Sequence, residues 1–216
     1  MNIFGISDFG LFCLAVFLLN LTPGPDTAYI VGRSVAQGRS AGLVSALGIS
    51  MGACVHTLAS AFGLSALLSA SATAFMVVKI AGGLYLVYLG LRILLARKNT
   101  AEATTGAPAA RSLRTIFWQA AMTNVLNPKV ALFFLSFFPQ FVQRDTQHQT
   151  LAFLLLGLTF IVMSTIWNSG TAFVAGTLTL RVGAGVSSDS RLKKWLERVI
   201  GGAFVGLGVK LAFSKN

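Results

Sequence analysis

Charge is what this sequence has least of. Only 11% of its 216 residues are Asp, Glu, Lys or Arg, less than half the share usual in soluble domains. With 55% hydrophobic residues and a mean hydropathy of +0.75, that scarcity excludes an ordinary soluble globular domain. It also excludes disorder, which needs low hydrophobicity and high charge. Cysteine is scarce too. Cys13 and Cys54 lie within apolar stretches and form no CxxC or Cys/His ligand spacing. A disulfide-stapled secreted module is therefore excluded, and the thiols read as small buried hydrophobes rather than redox or metal groups. Acidic residues number 6 against 17 basic ones, a net charge of +11. In a soluble chain that balance would suggest nucleic acid. Here the bases fall between long apolar runs, where the positive-inside rule puts them, so no nucleic-acid partner is expected. What remains is a multi-span membrane protein.

The N-terminus does not read as a signal peptide. It has no basic leading region, Asp8 precedes the apolar run, and Pro-Gly-Pro follows it without a small-x-small cleavage site. A helix needs about 20 apolar residues to cross the hydrocarbon core. Six spans are expected, at Phe9–Val31, Ala41–Leu64, Phe75–Leu95, Thr115–Phe138, Thr150–Ala172 and a shorter Arg198–Phe213. The uncharged stretch between Arg39 and Lys79 is too long for one span, so it holds a span, a turn and the start of the next.

Alternate loops are basic. Arg33 and Arg39 follow the first span; Arg92, Arg97, Lys98, Arg111 and Arg114 follow the third; Arg181, Arg191, Lys193, Lys194 and Arg198 follow the fifth. This pattern predicts cytoplasmic basic loops and both termini outside. The connector Ala96–Arg114 is rich in Ala, Thr, Gly and Pro, as a mobile linker is. Val182–Ser190 is a second loop, and Arg191–Arg198 fits an interfacial helix or a solvated face.

An internal repeat runs through this plan. Lys79-Ile-Ala-Gly-Gly-Leu-Tyr-Leu aligns with Arg198-Val-Ile-Gly-Gly-Ala-Phe-Val, and Asn20-Leu-Thr-Pro23 parallels Asn124-Val-Leu-Asn-Pro128. Two halves of three spans must enter the membrane in opposite senses, the inverted-repeat plan of many secondary transporters. The expected fold is thus an all-α integral membrane protein of six transmembrane helices in two inverted three-helix repeats, with broken first and fourth helices. Residues 1–95 form the first repeat, 96–114 the linker and 115–216 the second.

The breaks carry the functional argument. Thr22-Pro-Gly-Pro-Asp26 and Asn127-Pro128 remove backbone donors at matching places. Freed backbone groups at membrane depth must face protein or water. Paired discontinuous helices point to a midplane binding site; a packing kink is the blander reading. Asp26 is the carboxylate near membrane depth, a candidate proton carrier or simply a cap on the continuing helix. Lys129 lies inside the fourth span, where it snorkels, faces an aqueous cavity, holds a substrate carboxylate or pairs with Asp26. Lys79, nearer a span end, reads as snorkelling. Asn20, Asn124 and Asn127 supply donors and acceptors for an amino group and a carboxylate together. The stripes Ser45, Gly48, Gly52, His56, Ser60 and Ser164, Asn168, Thr171 read first as helix packing through small faces. Gly48-Ile-Ser50-Met-Gly52, with His56 nearby, matches G-x-S-x-G, but an intramembrane hydrolase would need a strand-to-helix elbow that an apolar helix does not offer. Neither metal nor phosphate-loop motifs stand out, and no cofactor is expected.

The run Leu21-Thr-Pro-Gly-Pro-Asp26 and the basic Gly32–Gly42 turn resemble the LysE/RhtB family of bacterial amino-acid exporters. So do Gly82-Gly-Leu-Tyr-Leu-Val-Tyr-Leu-Gly90, Asn124-Val-Leu-Asn-Pro-Lys129 and the following Phe133–Phe138 with Pro139. The form is closer to the homoserine, threonine and leucine branch. The resemblance implies a six-span inner-membrane protein that expels small neutral amino acids in exchange for protons, with a homodimer among its assemblies, and not an enzyme. By position it implies one half-site from Asn20, Pro23, Gly24, Pro25 and Asp26, and the other from Asn124, Asn127, Pro128 and Lys129. A passive pore, a membrane hydrolase using Ser50 and His56, and a non-transporting scaffold are the rival readings.

Overall fold

A computed structural model describes residues 4–66, 110–143 and 146–182, with isolated positions at 73, 77, 80, 84, 87, 88, 91 and 202. Apart from those isolated positions, the expected third and sixth spans lie outside the described residues, as do Lys79, residues 96–109 of the linker and the loop after Val182. The described chain is helical apart from its connections and one isolated antiparallel bridge, Ile6 with Val142.

Helix α1, Phe9–Leu21, is apolar all round and ends where Pro23 cannot continue it. Thr22 closes its last turn, its hydroxyl donating to Leu18 O at 3.0 Å. Helix α2, Pro25–Ala59, restarts on Pro25, whose missing N–H costs nothing at a helix start. It runs into a π-turn, Ser60–Leu64. α2 is interrupted at Gly38, whose φ of 82° lies in the left-handed region that favours glycine. The chain reverses there. A Cβ on Gly42 would stand 3.0 Å from Ser34 Cβ, whereas residues eight apart on a straight helix are separated by about 12 Å. Residues 25–37 and 39–59 are therefore two arms of a hairpin, as expected between the first and second spans.

Helix α3, Leu113–Val125, starts on Ser112, whose hydroxyl accepts from Thr115 N at 3.2 Å. Helix α4, Pro128–Phe137, follows the break at Leu126–Asn127, bent by 49° from α3, and tightens into a 3-10 turn over Phe138–Phe141. Asn127 caps α4, its Oδ1 accepting from Lys129 N at 3.0 Å. Helix α5 is Gln149–Val182. By length and composition, Pro25–Leu64 and Gln149–Thr177 can cross a membrane, and the bent pair Leu113–Val125 with Pro128–Phe141 makes a third span.

Side-chain neighbours set the directions. The first α2 arm runs against α3: Asp26 meets Asn124, Tyr29 meets Gln119, and Gln37 meets Arg111. The second arm runs beside α3 in the same sense, Gly48 on Phe117 and Gly52 on Ala121, and against α5, Ser50 on Thr165 and Thr57 on Gly157. The start of α1 is tied to the end of α4 by Ser7 N donating to Phe141 O at 2.9 Å. The broken pairs α1–α2 and α3–α4 thus lie antiparallel, with their breaks at one level.

One end is packed with aromatic rings. Phe12, Phe133, Phe134, Phe137, Phe138, Phe141, Phe153 and Phe160 are buried together, with Phe134 stacked on Phe138 at 4.1 Å between centroids. The small α2 stripe packs on α3, as a close-approach face should. A Cβ on Gly48 would stand 2.7 Å from Ala120 Cβ and overlap the Phe117 carbonyl. Gly32 has nothing within 4 Å of such a Cβ. Gly48→Ala is therefore expected to destabilise the protein by about 1–3 kcal/mol through overpacking. Gly32→Ala should be neutral or slightly stabilising. Thermal unfolding in detergent, read by circular dichroism, separates the two; equal midpoints would contradict the α2–α3 contact.

Candidate functional site

The two breaks leave helix ends pointing at each other. α1 ends and α2 begins within Thr22–Gly24, and α3 ends and α4 begins within Leu126–Asn127. Between them lies a cavity of about 30 Å³, room for about two waters. Asn20, Gly24, Asp26, Asn124, Asn127 and Lys129 line it, so most of the expected site residues converge. Pro23, Pro25 and Pro128 do not line it; they shape the breaks that bring the others in.

Lys129 does something that none of the readings offered for it included. It does line the cavity, but its ammonium donates to Leu19 O at 2.8 Å and to Thr22 O at 2.6 Å. It closes the C-terminal end of α1 with a cation, where the helix dipole and orphan carbonyls favour one. It forms no direct ion pair with Asp26 among the described contacts. Two of its three N–H donors are used, which leaves one for the cavity.

Asp26 sits in the first turn of α2, where a carboxylate suits the helix dipole. Asn124 Nδ2 donates to Asp26 Oδ2 at 2.7 Å, joining the two broken segments across 98 residues of sequence. Asp26 Oδ1 and Asn124 Oδ1 are buried and have no hydrogen-bond partner among the described residues. A buried acceptor without a donor costs about 1–3 kcal/mol, so the site favours whatever supplies an N–H. Asn124 is seated by Gly52, since a Cβ there would stand 2.8 Å from Asn124 Oδ1. His56 Nε2 lies 3.1 Å from the Asn124 carbonyl, within hydrogen-bond distance.

α5 supplies the wall the sequence assigned to packing. Ser164 and Asn168 line the cavity, and Asn20 Nδ2 donates to Ser164 Oγ at 3.1 Å. Their spacing of four along one helix face was the available signal; it does not distinguish a packing face from a site wall. Leu19, Ile49, Ala53, Val130 and Phe160 form an apolar side that single-residue reasoning missed, because nothing in an apolar residue's identity marks it as lining a cavity.

The G-x-S-x-G match has no hydrolase geometry. Ser50 is inside an uninterrupted helical arm; its hydroxyl donates to Ala46 O at 3.0 Å and lies 2.6 Å from Thr165 Oγ1. His56 is engaged by Asn124 instead. Thr171, the last member of the α5 stripe, bonds its own helix at Trp167 O and does not line the cavity.

An uncharacterized membrane protein of Pseudomonas aeruginosa is 33% identical over 215 residues, covering 98% of both chains. A leucine efflux protein of Enterobacter sp. is 30% identical over 212 residues, 97% of both chains. Another leucine efflux protein, from Salmonella typhi, is 28% identical over 212 residues, 97% of this chain and 96% of that one. No solved structure matches the chain. Residues 17–215 match the family described as LysE type translocator. On a match that spans nearly its whole length, the chain belongs to the LysE type translocator family of membrane transporters, which are not enzymes.

Proposed function

We propose that this protein is a secondary exporter of small neutral amino acids, leucine and its aliphatic neighbours first, exchanging them for protons by alternating access. The observation that carries the reading is the meeting of two helix breaks around one small polar cavity. Half-helix N-termini at Pro25 and Pro128 offer positive dipole ends to a substrate carboxylate. The remaining Lys129 N–H adds to them. Asp26 Oδ1 and Asn124 Oδ1, buried without donors among the described residues, suit an α-ammonium. The apolar wall of Ile49, Ala53, Val130 and Phe160 suits an aliphatic side chain, in keeping with relatives named leucine efflux protein.

A cavity of about 30 Å³ is smaller than any amino acid. Loading therefore requires the two broken segments to part, and the hydrogen bond from Asn124 to Asp26 is the link that must yield. The antiparallel broken pairs support two inverted three-helix halves, residues 1–95 and 115–216, as the moving bodies. In this reading the protein lies in the bacterial inner membrane with basic loops in the cytoplasm and both termini outside. Asp26 is the proton carrier: protonation neutralises it and frees Asn124 and the ammonium from its charge.

Proteoliposomes loaded with single amino acids test this directly. Leucine efflux should saturate and accelerate when protons are driven inward, and neutral polar amino acids should follow more slowly. Asp26→Asn should lose the gradient dependence, and undiminished gradient-driven efflux from it would remove the proton role. Narrowing the apolar wall with Ile49→Phe should lower leucine efflux relative to alanine efflux by about tenfold or more, the scale of steric discrimination in an apolar pocket. An unchanged ratio would place the side chain elsewhere. Conduction without saturation would favour a passive pore.

A further inference from the structure

Both segments that end at a break are closed by a basic side chain from another helix. Lys129 closes α1. His56, on the second arm of α2, reaches the end of α3, where its Nε2 lies 3.1 Å from the Asn124 carbonyl. A carbonyl only accepts, so this bond requires the ring hydrogen on Nε2. The same carbonyl accepts from Asn127 N at 3.0 Å. It belongs to the last turn of α3, whose carbonyls lack intrahelical partners. Phe134 of α4 lies against the His56 ring, with centroids 5.5 Å apart and planes 30° apart. Phe134 is itself buried in the aromatic cluster. His56 thus touches one residue on each side of the bend between α3 and α4.

What His56 holds is the backbone of the residue whose side chain meets Asp26. Asn124 Nδ2 donates to Asp26 Oδ2 at 2.7 Å. A second constraint on Asn124 comes from the same arm, one turn earlier. A Cβ on Gly52 would stand 2.7 Å from Asn124 Cβ, so the arm lies directly against it. Gly52 and His56 are four residues apart, on one helix face. Together they fix the main chain and Cβ of Asn124, which sets the reach of its amide before a ligand arrives. Asn124 and Asp26 line the cavity; His56 stands behind them. We infer that His56 is a positioning residue for the amino-acid site: its Nε2–H holds the Asn124 carbonyl, and through it the Asn124 amide, in register with Asp26. A space-filling role against Phe134 would need the bulk of the ring but not its N–H. The inference rests on the exporter reading for the identity of the ligand.

Substitutions separate the two roles. A Gln amide nitrogen takes the place of Nε2, an Asn amide falls short of it, and Phe keeps a ring without a donor. In proteoliposomes, His56→Asn and His56→Phe should each raise the half-saturating leucine concentration by about fivefold, the scale of one neutral hydrogen bond. The maximal rate should change little. His56→Gln should restore most of the affinity. In an Asn124→Ala background His56→Phe should add no further loss, because the amide it positions is gone. Equal losses in all three His56 variants, or a loss that adds in full to that of Asn124→Ala, would show a structural role and overturn the inference. So would Asn and Phe variants as strong as the parent. A second readout needs no transport. The chain has 2 histidines, so His148→Gln leaves His56 alone. Nitrogen NMR of its isotope-labelled ring in lipid then reports which nitrogen carries hydrogen. Nε2–H is expected, and a bare Nε2 overturns the inference even where leucine is exported. Absence of leucine flux from the parent is a different failure: it removes the exporter reading, and the amino-acid site with it, whatever the ring shows.

Discussion

Everything else in this structure rests on how the two helix breaks are satisfied. A break within an apolar helix frees backbone carbonyls and amides where water cannot be counted on to receive them. Here each break is completed by the other. Lys129, from the start of α4, donates to Leu19 and Thr22 at the end of α1. Asn124, from the end of α3, donates to Asp26 at the start of α2. Bonds with a charged partner are roughly twice as strong as neutral ones. The breaks therefore hold each other at one level, and the space between them becomes a polar cavity inside an apolar bundle. The groups that stabilise the breaks are also the groups that line the cavity.

Close backbone approach makes that meeting possible. Gly48 and Gly52 bring the second α2 arm onto α3, and Gly52 leaves the room that Asn124 occupies. Gly157 does the same for Thr57 and Gly176 for Arg39 on α5. With lipid outside as apolar as the side chains inside, packing of small faces, rather than water exclusion, favours association. The two ends of the bundle then differ in chemistry. One is a fused cluster of phenylalanines around Phe12, Phe134 and Phe138. The other carries arginines, among them Arg33, Arg39, Arg111 and Arg114, with Arg39 stacked 4.6 Å from the Phe173 ring.

Much of this was legible in the chain. Pro23, Pro25 and Pro128 mark breaks because proline has no N–H and clashes with a preceding turn. The basic Gly32–Gly42 turn marks a reversal, though its pivot, Gly38, is one of several glycines there and is singled out only by its positive φ. Asn20, Asp26, Asn124, Asn127 and Lys129 stood out because polar groups at membrane depth are costly. Less legible was what each would touch. Lys129 was open among substrate, solvent and Asp26, and its partners proved to be main-chain carbonyls, which sequence does not display. Ser164 and Asn168 looked like a packing face, and Ile49, Val130 and Phe160 like any other apolar residues. Ser50 carried a motif, and its helical setting emptied that motif of meaning.

The sequence by itself determined that the chain is a membrane protein, that its helices break beside Thr22 and Asn127, and which polar residues sit at those breaks. These follow from local physics: hydropathy along the chain and the backbone chemistry of proline. Only the tertiary structure decided that the breaks face each other, that Lys129 serves α1 while Asn124 serves Asp26, and that an apolar wall from α2, α4 and α5 completes the cavity. Those are contacts between residues about a hundred positions apart. They depend on the reversal at Gly38 and on helix faces close enough to touch, and neither is encoded at any single position.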